Sequence, residues 1–369
     1  MLYYAAPMEG ITTYIYRRAH ARFYGGIDKY FTPFIAGRKM TTREVRDILP
    51  KNNAGVTLVP QILTNKAADF LEIADRLASY GYDTVNLNLG CPSGTVTAKK
   101  RGAGFLSEPE SLDAFLSQIY EKCPLRISVK TRLGISDLNE WEKLLAVYAK
   151  YPVQELIVHT RLLQEFYTGA PHPEAYADAV YRLHGIGSTQ VRSAQIGLCY
   201  NGDILSAKSL NDVQSKVASC IAAYDDYQCD ETGSPAAASS VIDRIMIGRG
   251  LLRNPALARQ LKDKQPQSHN ITDAGHDRSA HDAETLRAFH DVILNDYREI
   301  MSGDLPVLFK MKDLWTYMID AFITSDPTRS PEGTDRHTVE KYLKRIRKAD
   351  RIPEYTIAVD SLFRECFLR

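Results

Sequence analysis

Paired cysteines are missing from this chain. Its six cysteines (Cys91, Cys123, Cys199, Cys220, Cys229 and Cys366) form no CxxC pair and share no repeated spacing. That argues against a disulfide framework and a cysteine-based zinc site, and for reduced thiols in a cytoplasmic protein. Long apolar runs are also missing: none approaches the roughly 18 residues that span a bilayer, so no membrane is expected. The first residues, Met1-Leu2-Tyr3-Tyr4-Ala5-Ala6-Pro7, carry no basic segment and no extended apolar stretch, and read as an early strand in place of a secretory signal. Charge of one sign is lacking too, with a net value of +1, so the chain as a whole does not attract nucleic acid. Locally the balance shifts. From Arg336 to Arg369 there are nine Lys/Arg against five Asp/Glu, and Lys99-Lys100-Arg101 forms a second basic knot. Such runs are usually solvated faces, and RNA binding is the rarer reading.

What is present is a regular alternation. Short apolar runs at 2–6, 29–34, 57–62, 84–89, 126–131, 155–160, 195–200 and 244–247 are separated by longer amphipathic stretches. Most are apolar or β-branched at successive positions, as strands buried on both faces of a parallel sheet require. In 67–80, Phe70, Ile73, Ala74 and Leu77 recur at helical spacing. Eight strand–helix units in roughly 250 residues make an α/β (β/α)₈ barrel, a TIM barrel, the expected fold. A doubly wound open sheet is the alternative that strand counting leaves standing.

The stretch 225–240 is small, polar and turn-rich and reads as a surface insertion; 181–195 is also unusual for a connection. The polar stretch around 262–283 contains His269, His276 and His281 without metal-ligand spacing, and reads as a linker. Beyond it the pattern is helical. Leu286, Phe289, His290 and Ile293 share one face, as do Val339, Tyr342, Leu343 and Ile346, the latter ringed by Lys341, Lys344, Arg345, Arg347 and Lys348. The expected organisation is a barrel over 1–261, a linker over 262–283 and a helical domain over 284–369.

Polar residues gather at the C-terminal ends of successive strands, where barrel enzymes place their active sites. Pro7, Met8 and Glu9 follow the first strand, Gln61 ends the third, and Asn88 with Cys91 ends the fourth. Lys130 and Arg132 end the fifth, His159 and Arg161 the sixth; Asn201-Gly202-Asp203 follows the seventh and Gly248-Arg249-Gly250 the eighth. Any one of them could cap a helix or brace a turn. Together, in register on one rim, they require a common explanation. The last two loops are where barrels bind phosphate, with free backbone N–H groups and the donor fork of Arg249. Lys130 could set positive charge beside a reduced flavin ring. Cys91, between Gly90 and Pro92, is either a small buried hydrophobe or a rim thiol able to act as proton donor or nucleophile. Gly102-Ala103-Gly104 is too short to be a dinucleotide fingerprint, since Ser107 stands at the third glycine position.

These elements resemble the tRNA-dihydrouridine synthases. The match runs in order through Ala6-Pro7-Met8, Gln61, Leu87-Asn88-Leu89-Gly90-Cys91-Pro92, Val129-Lys130-Thr131-Arg132-Leu133-Gly134, Val158-His159-Thr160-Arg161, Asn201-Gly202-Asp203-Ile204 and Met246-Ile247-Gly248-Arg249-Gly250. The resemblance implies FMN held by Pro7, Met8, Glu9, Gln61, Lys130, His159, Asn201, Gly202, Asp203, Gly248 and Arg249. It implies Cys91 as the catalytic acid; Asn88, Arg132 and Arg161 on the substrate side; NADPH or NADH as electron donor; and a C-terminal helical domain that grips tRNA. No metal is called for, and a monomer is expected. The rival readings are an FMN barrel that reduces a small enone or pyrimidine, against which the basic tail speaks, and an RNA-binding protein that has lost its chemistry, against which Cys91, Lys130 and His159 speak.

Overall fold

The computed structural model describes residues 1–184, 196–226, 241–263, 278–322 and 336–366. Most of the 181–195 and 225–240 stretches, the linker histidines His269 and His276, and Cys229 lie outside the described residues. The chain forms two compact units, residues 1–7 with 27–248 and residues 8–26 with 249–369.

Among the described residues the first unit holds nine parallel strands: β1 (Leu2–Ala5), β2 (Lys29–Phe31), β3 (Leu58–Val59), β4 (Gln61–Ile62), β5 (Thr84–Leu89), β6 (Arg126–Arg132), β7 (Glu155–His159), β8 (Gly197–Asn201) and β9 (Arg244–Ile247). Their order is β3-β2-β1-β9-β8-β7-β6-β5-β4. The two outermost strands are one stretch of chain broken by Pro60, which has no N–H for a ladder bond. The Pro60 carbonyl still accepts from the Asn86 N–H at 2.8 Å. The sheet is therefore nearly closed, a (β/α)₈ barrel whose third strand comes in two pieces. β2 is shorter than its apolar run because Pro33 interrupts it; the Thr32 hydroxyl instead accepts from the Gln61 N–H at 3.0 Å.

Helices follow the strands for the reasons their sequences suggest. Ala67–Ser79 buries Phe70, Ile73, Ala74 and Leu77. It stops where Gly81 takes φ +89°. There the Gly81 and Tyr82 N–H groups turn back to the Ala78 and Leu77 carbonyls, satisfying acceptors that the helix end leaves open.

The barrel interior is layered. Strand pairing aligns Asn88, Lys130, Ile157 and Cys199 in one row and Arg132, His159, Asn201, Met246 and Tyr4 in another. Tyr4, Ala6, Phe31, Val59, Ile157, Cys199 and Met246 pack into an apolar middle. At the N-terminal end, the Glu155 carboxylate accepts from the Tyr4 hydroxyl at 2.6 Å and from Lys29 at 2.8 Å, with Arg244 at 3.6 Å. That floor is closed by its own charges. The polar groups at the other end are the ones available for chemistry.

The second unit is helical: Tyr14–Phe23, Arg249–Arg253, Leu257–Asp263, Arg278–Ile300, Asp304–Met318, Arg336–Lys348 and Ile352–Cys366. The two apolar faces read from spacing are both buried. His290 is satisfied within its core, with Nε2 2.6 Å from the Tyr355 hydroxyl, which also accepts from the Trp315 indole N–H at 2.6 Å. Helix Tyr14–Phe23 belongs here because Ile15, Tyr16 and Ala19 pack in one core with Leu286, Phe289 and Ile293. The unit thus begins at Arg249 and draws in residues 8–26, where sequence patterning changes only at 262–283. Apolar spacing shows that a helix will be covered, and leaves open which helix covers it. No helix of the described residues is long and apolar enough to cross a membrane.

Candidate active site

The rim is built outward from Asn88. β5 delivers this residue buried at the barrel top, where its amide works in two directions. Its Nδ2 donates to Gln61 Oε1 at 2.6 Å, and its Oδ1 accepts from the N–H groups of Gly90 at 3.0 Å and Cys91 at 2.9 Å. Asparagine suits this place because one planar group offers both a donor and an acceptor. Gln61 extends the chain inward, its Nε2 donating to Asn86 Oδ1 at 2.8 Å, while Asn86 Nδ2 donates to Ser128 Oγ at 2.9 Å. The turn that carries Cys91 is thereby linked through Asn88 to a chain of three interior side chains, Gln61, Asn86 and Ser128. Cys91 itself is half-buried, and none of the described cysteines is in a disulfide.

Gly102 fastens the other side of that turn. The Ala103 N–H donates to the Cys91 carbonyl at 3.1 Å. Gly102 has φ +53°, and a Cβ there would lie 2.9 Å from the Cys91 carbonyl oxygen and 3.1 Å from Cys91 Cβ. The glycine pair that is no nucleotide fingerprint is the seat of the thiol. Gly102→Ala is expected to lose about 2 kcal/mol of stability from its left-handed backbone and the clash, and to displace Cys91. Denaturant unfolding beside turnover checks this, and a variant as stable and as active as the parent removes the seat from the argument.

Lys130 reaches the interior from β6 opposite Asn88. Burial lowers its pKa to about 8, and Arg132 acts in the same direction. Among the described residues Lys130 has no carboxylate partner. A half-buried cation without one is costly unless an anion or electron-rich group joins it.

Arg132 and Arg161 are buried, and their donors are already committed. Arg132 donates from Nε to the Gly90 carbonyl at 3.0 Å, from Nη1 to Leu162 at 2.8 Å and from Nη2 to Phe166 at 2.7 Å. Arg161 donates from Nε to the Gly169 carbonyl at 2.7 Å and from Nη2 to Asp203 at 2.5 Å. Its Nη1 lies 3.2 Å from His159 Nε2. A guanidinium can only donate, so this Nε2 is the acceptor and the His159 proton sits on Nδ1. Sequence reasoning placed both arginines on the substrate side; in the structure they also tie the rim loops together. It missed Tyr167, whose ring stacks on His159 at 6.0 Å and lies beneath the Arg132 guanidinium at 5.2 Å. A lone tyrosine in a loop carries no periodic signal that could have marked it.

Asn201 ends β8 and donates to the Met246 carbonyl at 2.9 Å. Gly202 follows, where any Cβ would collide with the Tyr200 hydroxyl and ring. Pro7 and Gly248 close the unit at the ends of β1 and β9. Met8, Glu9 and Arg249, the next residues along the chain, belong to the helical unit. Among the described residues no group of three or more His, Cys, Asp or Glu could hold a metal ion.

Residues 4–223 match the family model described as dihydrouridine synthase. The chain is similar to a "Probable tRNA-dihydrouridine synthase" of Staphylococcus epidermidis (strain ATCC 12228 / FDA PCI 1200), 28% identical over 269 residues, 72% of each protein. It is similar to "Probable tRNA-dihydrouridine synthase 2" of Bacillus subtilis (strain 168), 26% identical over the same length and share. The matched span takes in β1 through β8 and with them the turn of Cys91, Lys130 and His159. This chain belongs to the dihydrouridine synthase family, whose chemistry is that of an oxidoreductase.

Proposed function

We propose that the protein reduces the C5=C6 bond of uridine in transfer RNA with FMN as cofactor and NADPH as electron source. One observation carries the reading beyond family membership: Lys130 is a half-buried cation without a carboxylate partner among the described residues, paired in register with Asn88, which anchors the turn of Cys91. A flavin fits that donor set, because its reduced ring gathers negative charge that a neighbouring cation stabilises. In the barrel unit Pro7, Gln61, Lys130, His159, Asn201, Gly202, Asp203 and Gly248 would hold it. When bound, FMN supplies the hydride that adds to C6 of the uracil. Charge then develops on the substrate at C5 and O4, and a proton must arrive at C5. Cys91 gives that proton from Sγ, and the resulting thiolate recovers its own from solvent. Asn88 sets the thiol by holding the Gly90 and Cys91 N–H groups. Arg132 and Arg161 keep the rim loops in place around the base, which must be turned out of the RNA to reach a barrel mouth. The tRNA is held by the helical unit, whose Arg336–Lys348 helix exposes Lys341, Lys344, Arg345, Arg347 and Lys348.

The test begins with the purified protein, which is expected to be yellow and to release about one FMN per chain on denaturation. NADPH should bleach it, and tRNA lacking dihydrouridine should restore the colour. A protein that cannot be loaded with flavin refutes the proposal. One that loads flavin but is reoxidised by small enones and not by tRNA turns it into a small-molecule reductase.

A further inference from the structure

We propose that Phe166 is a stacking platform for the nucleobase next to the reduced uridine; this rests on the reading above that the substrate is RNA. The loop between β7 and the helix Pro173–His184 is fastened almost throughout. The Leu162 and Phe166 carbonyls accept from Arg132 and the Gly169 carbonyl from Arg161. The Glu165 carboxylate accepts from the Leu162 N–H at 2.7 Å and lies 2.7 Å from His172 Nε2, and the His172 N–H donates to the Thr160 carbonyl at 2.7 Å.

On this fixed frame Phe166 is anomalous in two ways. Its φ is +49°, a left-handed conformation that a bulky side chain adopts only under constraint. Its side chain is also one of the largest apolar groups left in solvent, with 51% of the residue exposed. The folded chain makes no use of the ring: among the described residues no aromatic or cationic group packs on it, whereas Tyr167 beside it packs on both His159 and Arg132. A loop that merely connected two elements would place a glycine or asparagine here.

Position supplies the reason. The Arg132 guanidinium that donates from Nη2 to the Phe166 carbonyl also donates from Nε to the Gly90 carbonyl, and Gly90 precedes the thiol-bearing Cys91. One planar group thus ties the backbone that bears the flat apolar ring to the backbone just ahead of the thiol. A uridine turned out of an RNA strand leaves its neighbour unstacked on one face. An aromatic ring held beside the reaction centre restores that stacking whatever the neighbour's identity, since every base has a π-face.

The test compares full-length Phe166→Gly, Phe166→Leu and Phe166→Trp with the parent, by thermal unfolding and by steady-state reduction of unmodified tRNA. Glycine accepts the left-handed backbone, so Phe166→Gly should unfold at the same or a higher temperature while its KM for tRNA rises roughly tenfold, the effect of losing one stacked base. Phe166→Leu should show the same rise in KM, and Phe166→Trp should keep the parental KM. Parental KM in the glycine or leucine variant overturns the platform, as does a glycine variant that unfolds early, which would make the ring a packing element. Failure of the parent itself to reduce tRNA overturns the RNA reading and the platform with it; insensitivity at 166 in a parent that does reduce tRNA overturns the platform alone.

Discussion

Cys91→Ala is expected to separate the two halves of the reaction. The variant should fold, retain flavin and be reduced by NADPH at the parental rate, because none of these steps needs a proton at C5. Reoxidation by unmodified tRNA should fall by roughly 10²–10⁴-fold, the usual contribution of a positioned acid. The structure gives reasons to expect a clean result. The turn is held through the Cys91 N–H and carbonyl, by Asn88 and Ala103, and those bonds survive loss of the sulfur. Stopped-flow absorbance of each half-reaction reads both outcomes separately. Loss of both halves would make Cys91 structural, and loss of neither would take it out of the mechanism.

The second large effect concerns the helix Arg336–Lys348. Val339, Tyr342, Leu343 and Ile346 are buried on one side while Lys341, Lys344, Arg345, Arg347 and Lys348 stand in solvent on the other. Replacing Lys344, Arg345 and Lys348 together with glutamate is expected to weaken tRNA binding on the order of 10²-fold at moderate salt. It should also flatten the salt dependence, since each lost phosphate contact removes about 0.7–0.9 from the slope of log affinity against log salt. Point variants are the right tool here. Deleting the C-terminal helices would strip the cover from Ile15, Tyr16 and Ala19, which share their core, and a lower affinity could then reflect a damaged fold. Fluorescence anisotropy with labelled tRNA across a salt series measures both quantities. Unchanged affinity and slope would move the RNA site off this helix.

How legible the site was in the sequence depends on the kind of residue. The rim positions of Asn88, Cys91, Lys130 and His159 were legible because they sit at or just past strand ends, and a strand end on a barrel rim is a place that apolar patterning marks. Their roles were less visible. Arg132 and Arg161 stand in the same register, yet their guanidinium groups are spent on backbone carbonyls and on Asp203. Nothing in one-dimensional spacing distinguishes an arginine facing substrate from one clamping a loop. Tyr167, Phe166 and Gly102 lie in irregular chain, where neither period applies.

The sequence by itself determined alternating strands and helices with a parallel sheet covered on both faces, because such strands must be apolar at successive positions and their helices at every third or fourth. That the sheet curls round until β1 pairs with β9, and does not stay open, was decided by the tertiary structure. The sequence determined, too, that the chain would end in helices with a basic face. Only the tertiary structure decided that Pro60 divides the third strand, since one missing N–H matters only when a particular neighbour needs it. The same holds for the helix Tyr14–Phe23, whose apolar stripe is covered by residues more than 250 positions away in sequence. It holds again for Gly102, whose missing side chain makes room for the Cys91 turn. Local pattern records what a segment must bury; which partner buries it is settled by packing across distances that sequence spacing does not encode.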